Sequence, residues 1–148
     1  DAKSESYFIY TDNNEMKRSP ASYYYKNACG QKFLVFAFDM YYNNDESCYR
    51  TYTRGNQLIK AAEKLSGEPL PASITGCPDM YMMCKKDDEG TMAVGLWNIF
   101  ADKVSEPVGT LEKAYQTIRF INCSGRIEGN KVYLSEIPAF EFVGFEVK

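Results

Sequence analysis

Hydrophobic and polar positions along this chain alternate mostly at a period of two, with one stretch at helical period, so the pattern predicts strands broken by turns and a single helix. The densest apolar run spans residues 91–102, Thr-Met-Ala-Val-Gly-Leu-Trp-Asn-Ile-Phe-Ala-Asp. Met92, Val94 and Leu96 share one face, and Ala93, Gly95 and Trp97 the other. Both faces are apolar, which predicts a strand inside a sheet or between two layers, with Trp97 as a core anchor. Asn98 and Asp102, at its polar end, are expected to close the turn into the next segment.

Towards the N-terminus, residues 7–10 form a short aromatic-aliphatic strand, and the polar run 11–15 a loop. Residues 22–26 and 32–38 flank Asn27-Ala-Cys-Gly30, which predicts a hairpin. Its second arm is apolar on both faces, so an internal strand is expected there. A polar loop opens at 43–46. The helix is expected over 54–65, where Leu58, Ile59, Ala62 and Leu65 make an apolar stripe and Lys60, Glu63 and Lys64 lie opposite. Thr53 is its expected N-cap and Gly67 its C′ residue. Pro69 and Pro71 then forbid continuation and mark a boundary between two halves.

Beyond that boundary the pattern is all β. Residues 80–85 form a strand, 86–90 a turn ending in glycine, and the Trp97 strand completes an antiparallel hairpin. Glu106-Pro107 interrupts, 117–123 alternates as a strand, and Ser124-Gly125 turns. Residues 126–128 and 131–134 flank Gly129-Asn130, a two-residue loop suited to a tight primed turn. In the last segment Phe140 and Phe142 are out of phase with Phe145 and Val147, and a β-bulge near Val143-Gly144 would keep all four on the core side. Five or six short strands at this spacing predict a sandwich. The expected fold class is mainly β (α+β overall), an antiparallel β-sandwich with one amphipathic helix. A small α+β region at 1–70 and a C-terminal sandwich at 71–148 are expected to share a core.

Composition narrows the function more than it identifies it. A chain of 148 residues with 45% apolar content can build one ordinary domain or two small ones. The net charge of −3, with Lys and Arg scattered, offers no basic footprint, so nucleic acid is not an expected partner. No apolar run reaches the roughly 18 residues needed to span a bilayer, and residues 1–6 lack the order of a signal peptide. The absence of an initial Met is what an excised piece of something longer would show. There is no histidine, which removes the commonest general base and zinc ligand. Cys29, Cys48, Cys77, Cys84 and Cys123 form no CxxC pair and read first as buried free thiols of a reducing compartment, with one or two disulfides of a secreted domain as the alternative.

The acidic clusters at 12–15, 43–46 and 87–89 lack the ligand spacing of a calcium loop and read as turns. Glu136 and Glu141 would be an acid–base pair only at a suitable separation, and read by default as surface carboxylates. Cys48 near Arg50 is a weak nucleophile signal. Asn122-Cys123-Ser124 is formally a glycosylation sequon. No catalytic residue, metal site or cofactor is expected. Among the twelve tyrosines, 23–25, 41–42, Tyr49 and Tyr52 crowd the first half. Successive strand residues point to opposite faces, so packing is the first reading of these rings and stacking on a sugar the second, with Tyr24 and Tyr42 as candidate ligand contacts.

Several stretches together carry a resemblance. Ser19-Pro-Ala-Ser-Tyr23, Gly30-Gln-Lys-Phe-Leu-Val-Phe36, Arg54-Gly-Asn-Gln-Leu-Ile59, Leu65-Ser-Gly67 and Leu70-Pro71 resemble the end of the amidotransferase-like middle domain of bacterial β-galactosidase-type glycoside hydrolases. Ala93-Val-Gly-Leu-Trp-Asn98, Ala101-Asp102 and Phe142-Val-Gly-Phe-Glu-Val147 look like the small C-terminal β-sandwich that follows it there. These are packing and turn motifs, and the first half holds far fewer βαβ units than that middle domain requires. The resemblance implies that catalytic acids lie in an upstream barrel, so none is carried over to this chain. It implies a non-catalytic accessory domain of a carbohydrate-active enzyme, in the bacterial cytoplasm before a secreted setting, with carbohydrate, other enzyme domains or a second copy as partners. The competing expectations are a free-standing carbohydrate-binding module using exposed tyrosines, and a protein–protein interaction domain.

Overall fold

A computed structural model describes residues 4–11, 17–36, 52–74, 77 and 80–148. In chain order the elements are β1 (Ser4–Thr11), β2 (Lys17–Lys26), β3 (Lys32–Phe36), α1 (Tyr52–Ser66), β4 (Ala72–Ile74), β5 (Met80–Lys86), β6 (Met92–Asn98), β7 (Val108–Leu111), β8 (Ile118–Ile121), β9 (Gly125–Glu128), β10 (Lys131–Leu134) and β11 (Phe142–Val147). The strands form a three-stranded sheet, β1–β2–β3, and two four-stranded sheets, β4–β7–β10–β9 and β5–β6–β11–β8. All named pairings are antiparallel. The chain is therefore mainly β, with one helix among the described residues, as the pattern predicts.

The two four-stranded sheets enclose the core. From one come Met92, Val94, Leu96, Val143, Phe145 and Val147, and from the other Ala72, Leu111, Val132 and Leu134, joined by Ile137. The residual cavity between the layers is about 10 Å³, the least space that one water needs. The packing is accordingly close, and each layer is apolar on one side: the burial of β6 alternates strictly, with Met92, Val94, Leu96 and Asn98 inside. Both faces of this strand are apolar in composition, yet only one is covered. Trp97 is 38% exposed and is not a core anchor.

The last strand corrects a second expectation. Its register against β6 runs without a shift from Phe142↔Trp97 to Val147↔Met92, so there is no bulge at Val143-Gly144. Val143 takes the core position, Phe142 points outward with Gly144 and Glu146, and Phe140 is 69% exposed. A regular ladder keeps every backbone hydrogen bond, and Val143 supplies the core contact that the bulge was needed to provide. β4 and β7, three and four residues long, are too short for alternation to mark them.

Turn chemistry fares better. The β5–β6 and β9–β10 hairpins lie where glycine and polar residues predict them. Gly129 has φ 61 while Asn130 does not have positive φ, which fits a type II′ turn over a type I′. The β2–β3 hairpin closes through Gly30 N–H to the Asn27 carbonyl, 3.0 Å. However, β3 lies at an edge of its sheet among the described residues, with Phe33 exposed, and not at an internal position.

The helix starts at Tyr52, so Thr53 falls within its first turn and is not the cap. At the other end Gly67, φ 87, donates to the Glu63 carbonyl at 2.8 Å, the single bond of an αL cap. Among the described side chains of α1 the buried one is Ala61, while Ala62 and Leu65 are exposed and Glu63 and Lys64 are partly covered. The covered face is rotated from the expected stripe because the described residues pack α1 against β3, with Lys64 Nζ 5.2 Å from the Tyr24 ring.

Candidate functional site

The outward face of β5–β6–β11–β8 carries a graded surface, and its order follows from the register. Tyr81 pairs with Trp97, and Trp97 with Phe142, so three aromatic residues form one row across three adjacent strands. The next row is Met83, Gly95, Gly144 and Ile121, and the one after it Lys85, Ala93, Glu146 and Arg119. Arg119 Nη2 and Glu146 Oε2 are 2.6 Å apart and close the charged side. The face thus runs from aromatic, through a low floor, to a paired-charge rim.

The glycines make this relief possible. A Cβ on Gly95 would stand 2.9 Å from the Phe142 ring, which lies over that position and is thereby half-buried. Trp97 packs beside it with centroids 4.5 Å apart and planes inclined by 47°. Tyr81 continues the row at 6.3 Å and 49°. These tilted contacts are favourable ring geometries, so the three side chains hold one another in place. Two strand spacings give the row a length of about 10 Å. Tyr81 is 56% and Met83 55% exposed, and Ile99, Phe100 and Phe140 are exposed in the segments adjoining the row.

Tyr24, singled out by the sequence, is not part of this surface. Tyr24 lies on β2, half-buried, opposite Leu34 and under Lys64. Tyr42, with Tyr41 and Tyr49, lies outside the described residues, as do Cys48, Arg50 and the acidic runs 12–15 and 43–46. The aromatic row went unread because outward apolar residues and inward ones look alike along a strand. The usable signal is the pair Gly95 and Gly144, small residues on the face of two otherwise bulky strands.

Other candidate chemistry resolves into structure. The Asp87 carboxylate accepts from the Thr91 and Glu89 amides at 2.8 and 3.0 Å, which makes it a turn residue. Glu136 is exposed and pairs with Lys103 at 2.7 Å, and Glu141 is exposed. Cys29, Cys77, Cys84 and Cys123 are free, but Cys29 and Cys84 are exposed and the other two half-buried, so they are not the fully buried thiols expected. Burial pushes the thiols of Cys77, Cys84 and Cys123 above the ordinary cysteine value, opposite to what activates a nucleophile. Among the described residues no group of three or more Asp, Glu or Cys is placed to hold a metal ion, and no helix is long and apolar enough to cross a membrane. No protein-family model, curated protein or solved structure matches the chain.

Proposed function

We propose that this chain is a non-catalytic accessory domain of a carbohydrate-active enzyme, and that it meets glycan through the outward Tyr81–Trp97–Phe142 row. The observation that carries the reading is the row itself: three rings in register on the uncovered side of a sheet, next to a floor of two glycines. Aromatic faces stack on the apolar faces of sugar rings, and the paired charges of the third row could bond the hydroxyls at a ring's edge. Mutually inclined planes suit a single twisted glycan chain better than a flat crystalline surface. A bacterial, cytoplasmic setting belongs to the same proposal and rests on the resemblance.

Titration calorimetry against a set of soluble oligosaccharides tests it. Binding that is lost in Trp97→Ala and Tyr81→Ala, with the fold retained, is the expected result. Silence across a broad glycan array overturns the glycan contact. Robust turnover of aryl glycosides by the isolated chain, abolished by one Glu substitution, overturns the non-catalytic part.

A second reading, a protein-interaction face, is favoured by Met83, Ile99 and Phe100, whose large apolar side chains are 55%, 61% and 46% exposed in or beside the row. Aliphatic groups add apolar area for a protein partner and add no stacking plane. Concentration-dependent sedimentation that disappears in Met83→Lys or Ile99→Lys would support it, and a monomer at all concentrations would remove self-association as its basis.

A further inference from the structure

We infer that the opposite side of the sandwich carries a second, independent site, a cleft that takes a neutral sugar ring by its hydroxyl groups. The cleft lies on the outward face of β7, β10 and β9 and encloses about 840 Å³, within the roughly 300–1,000 Å³ typical of small-molecule sites. Its floor is fixed by register: Tyr133 on β10 lies between Val108 on β7 and Arg126 on β9. The Arg126 guanidinium stacks over the Tyr133 ring at 4.3 Å and is held from the side by Glu128, Nε to Oε1 2.7 Å. These two partners favour one orientation of its plane, while the side chain stays 65% exposed and within reach of a ligand.

Apolar surface from Val108 and Leu134 is joined by hydroxyls and carboxylates. Ser105, Ser124 and Ser135 supply hydroxyls, each able to donate and accept. Ser135 Oγ accepts from the Ser124 amide at 3.2 Å, which leaves its proton to donate. Glu106 and Glu136 supply carboxylates. Glu136 is paired with Lys103 and Arg126 with Glu128, whereas no hydrogen bond or ion pair engages the Glu106 carboxylate among the described residues. Glu106 also has φ 47 directly before Pro107, a backbone conformation disfavoured both for a non-glycine residue and for one preceding proline. The surrounding fold holds it there, at the rim of the cleft.

That donor and acceptor set selects the ligand. Glu106 acts electrostatically on Arg126, and the three carboxylates Glu106, Glu128 and Glu136 outnumber the two cations Arg126 and Lys103, so the cleft disfavours an anion and Arg126 does not serve here as a phosphate or carboxylate clamp. A planar guanidinium, carboxylates and serine hydroxyls around a partly apolar floor instead complement a sugar ring, whose adjacent hydroxyls donate to Glu and accept from Arg. The occupant is a neutral sugar, either free or as the end of a glycan.

The test is a ¹H–¹⁵N NMR titration of the full chain with glucose, galactose and mannose, with galacturonic acid as the charged counterpart of galactose and lactose as a chain end. At least one neutral sugar is expected to shift the amides of Ser124, Arg126 and Ser135, with galacturonic acid weaker than galactose by about tenfold or more. Lactose shifting the same amides more strongly than its component monosaccharides assigns the glycan end; equal response assigns the free sugar. Arg126→Gln should lose these shifts, Glu106→Gln should weaken them and narrow the difference from galacturonic acid, and Trp97→Ala should leave them in place, which separates this cleft from the aromatic row. No response at those amides to any neutral sugar at tens of millimolar overturns the proposal. So does galacturonic acid binding as well as galactose, or shifts that survive both cleft substitutions. Unchanged amides in the β6–β11 ladder verify that each variant is folded.

Discussion

Trp97 and Phe142 stand opposite each other in the β6–β11 ladder with ring centroids 4.5 Å apart, on the side of the sheet that faces away from the core. Their neighbours Leu96 and Val143 form the next pair and are both buried at 2% exposure. Adjacent residues in one strand thus belong to different energetic classes.

Leu96→Ala is expected to cost about 2–5 kcal/mol, the usual range for emptying a core position. Trp97→Ala should cost nearer to 1 kcal/mol, since it removes ring contacts and leaves no internal cavity. Denaturant unfolding compares the two. Trp97 is the only tryptophan, so quenching by acrylamide in the native state reads its exposure directly.

Asn98 is buried at 1% exposure and ties the end of β6 to two other segments. Its Nδ2 donates to the Asp102 carbonyl at 2.7 Å and the Pro138 carbonyl at 2.9 Å, and its Oδ1 accepts from the Phe100 amide at 3.1 Å. Asn98→Ala leaves these groups without partners, at about 1–3 kcal/mol for a buried polar group. Asn98→Asp should be the more damaging at neutral pH, because it aims a carboxylate at two carbonyl oxygens. Thermal melts of the two variants should fall in that order.

Gly125 and Gly129 bracket β9 and resist substitution for different physical reasons. A Cβ at Gly125 would lie 2.2 Å from the Tyr133 carbonyl oxygen and 2.9 Å from the Phe120 ring. Gly125→Ala is expected to cost about 1–3 kcal/mol or more by overpacking. Gly129 has open space around its Cβ position but φ 61 at the first central position of a II′ turn, so Gly129→Ala is expected to cost about 1–3 kcal/mol through backbone strain alone. Urea midpoints decide this.

Glu112 lies below its ordinary carboxylate value, first because Lys86 donates to it, with Tyr115 Oη donating as well at 3.0 Å. A carboxylate whose folded value is depressed contributes stability that is fully present above its unfolded value, near 4.5, and is lost as pH falls through the folded value. The melting temperature should therefore decline through this acidic window, and Glu112→Gln should flatten that part of the decline. Lys86 is shifted upward by the same hydrogen bond, so its share persists below its unfolded value and disappears only at strongly alkaline pH. A scan of melting temperature against pH for parent and variant measures both.

Local chemistry was legible wherever a turn depends on a few adjacent residues. The β5–β6 and β9–β10 hairpins, the helix end at Gly67 and the Asn98–Asp102 closure all follow from residue types that supply a special φ or a short-range hydrogen bond. In the tyrosine-rich first half Tyr23 is 38% exposed and Tyr24 half-buried beneath Lys64, while Tyr42 lies outside the described residues. The helix stripe failed by one position for a related reason. Periodicity locates an apolar face only to within the width of neighbouring residues, and the partner element sets its rotation.

By itself the sequence determined that the 91–102 stretch begins as a strand with two apolar faces, that a turn follows Asn98, and that the chain is mainly β. Which face is covered was decided in three dimensions. Period two separates a strand's residues into two sets but carries no label for inside and outside. Only the second sheet, placing Leu111, Val132 and Leu134 against Met92, Val94 and Leu96, made one set the core and left Trp97 in the row with Tyr81 and Phe142.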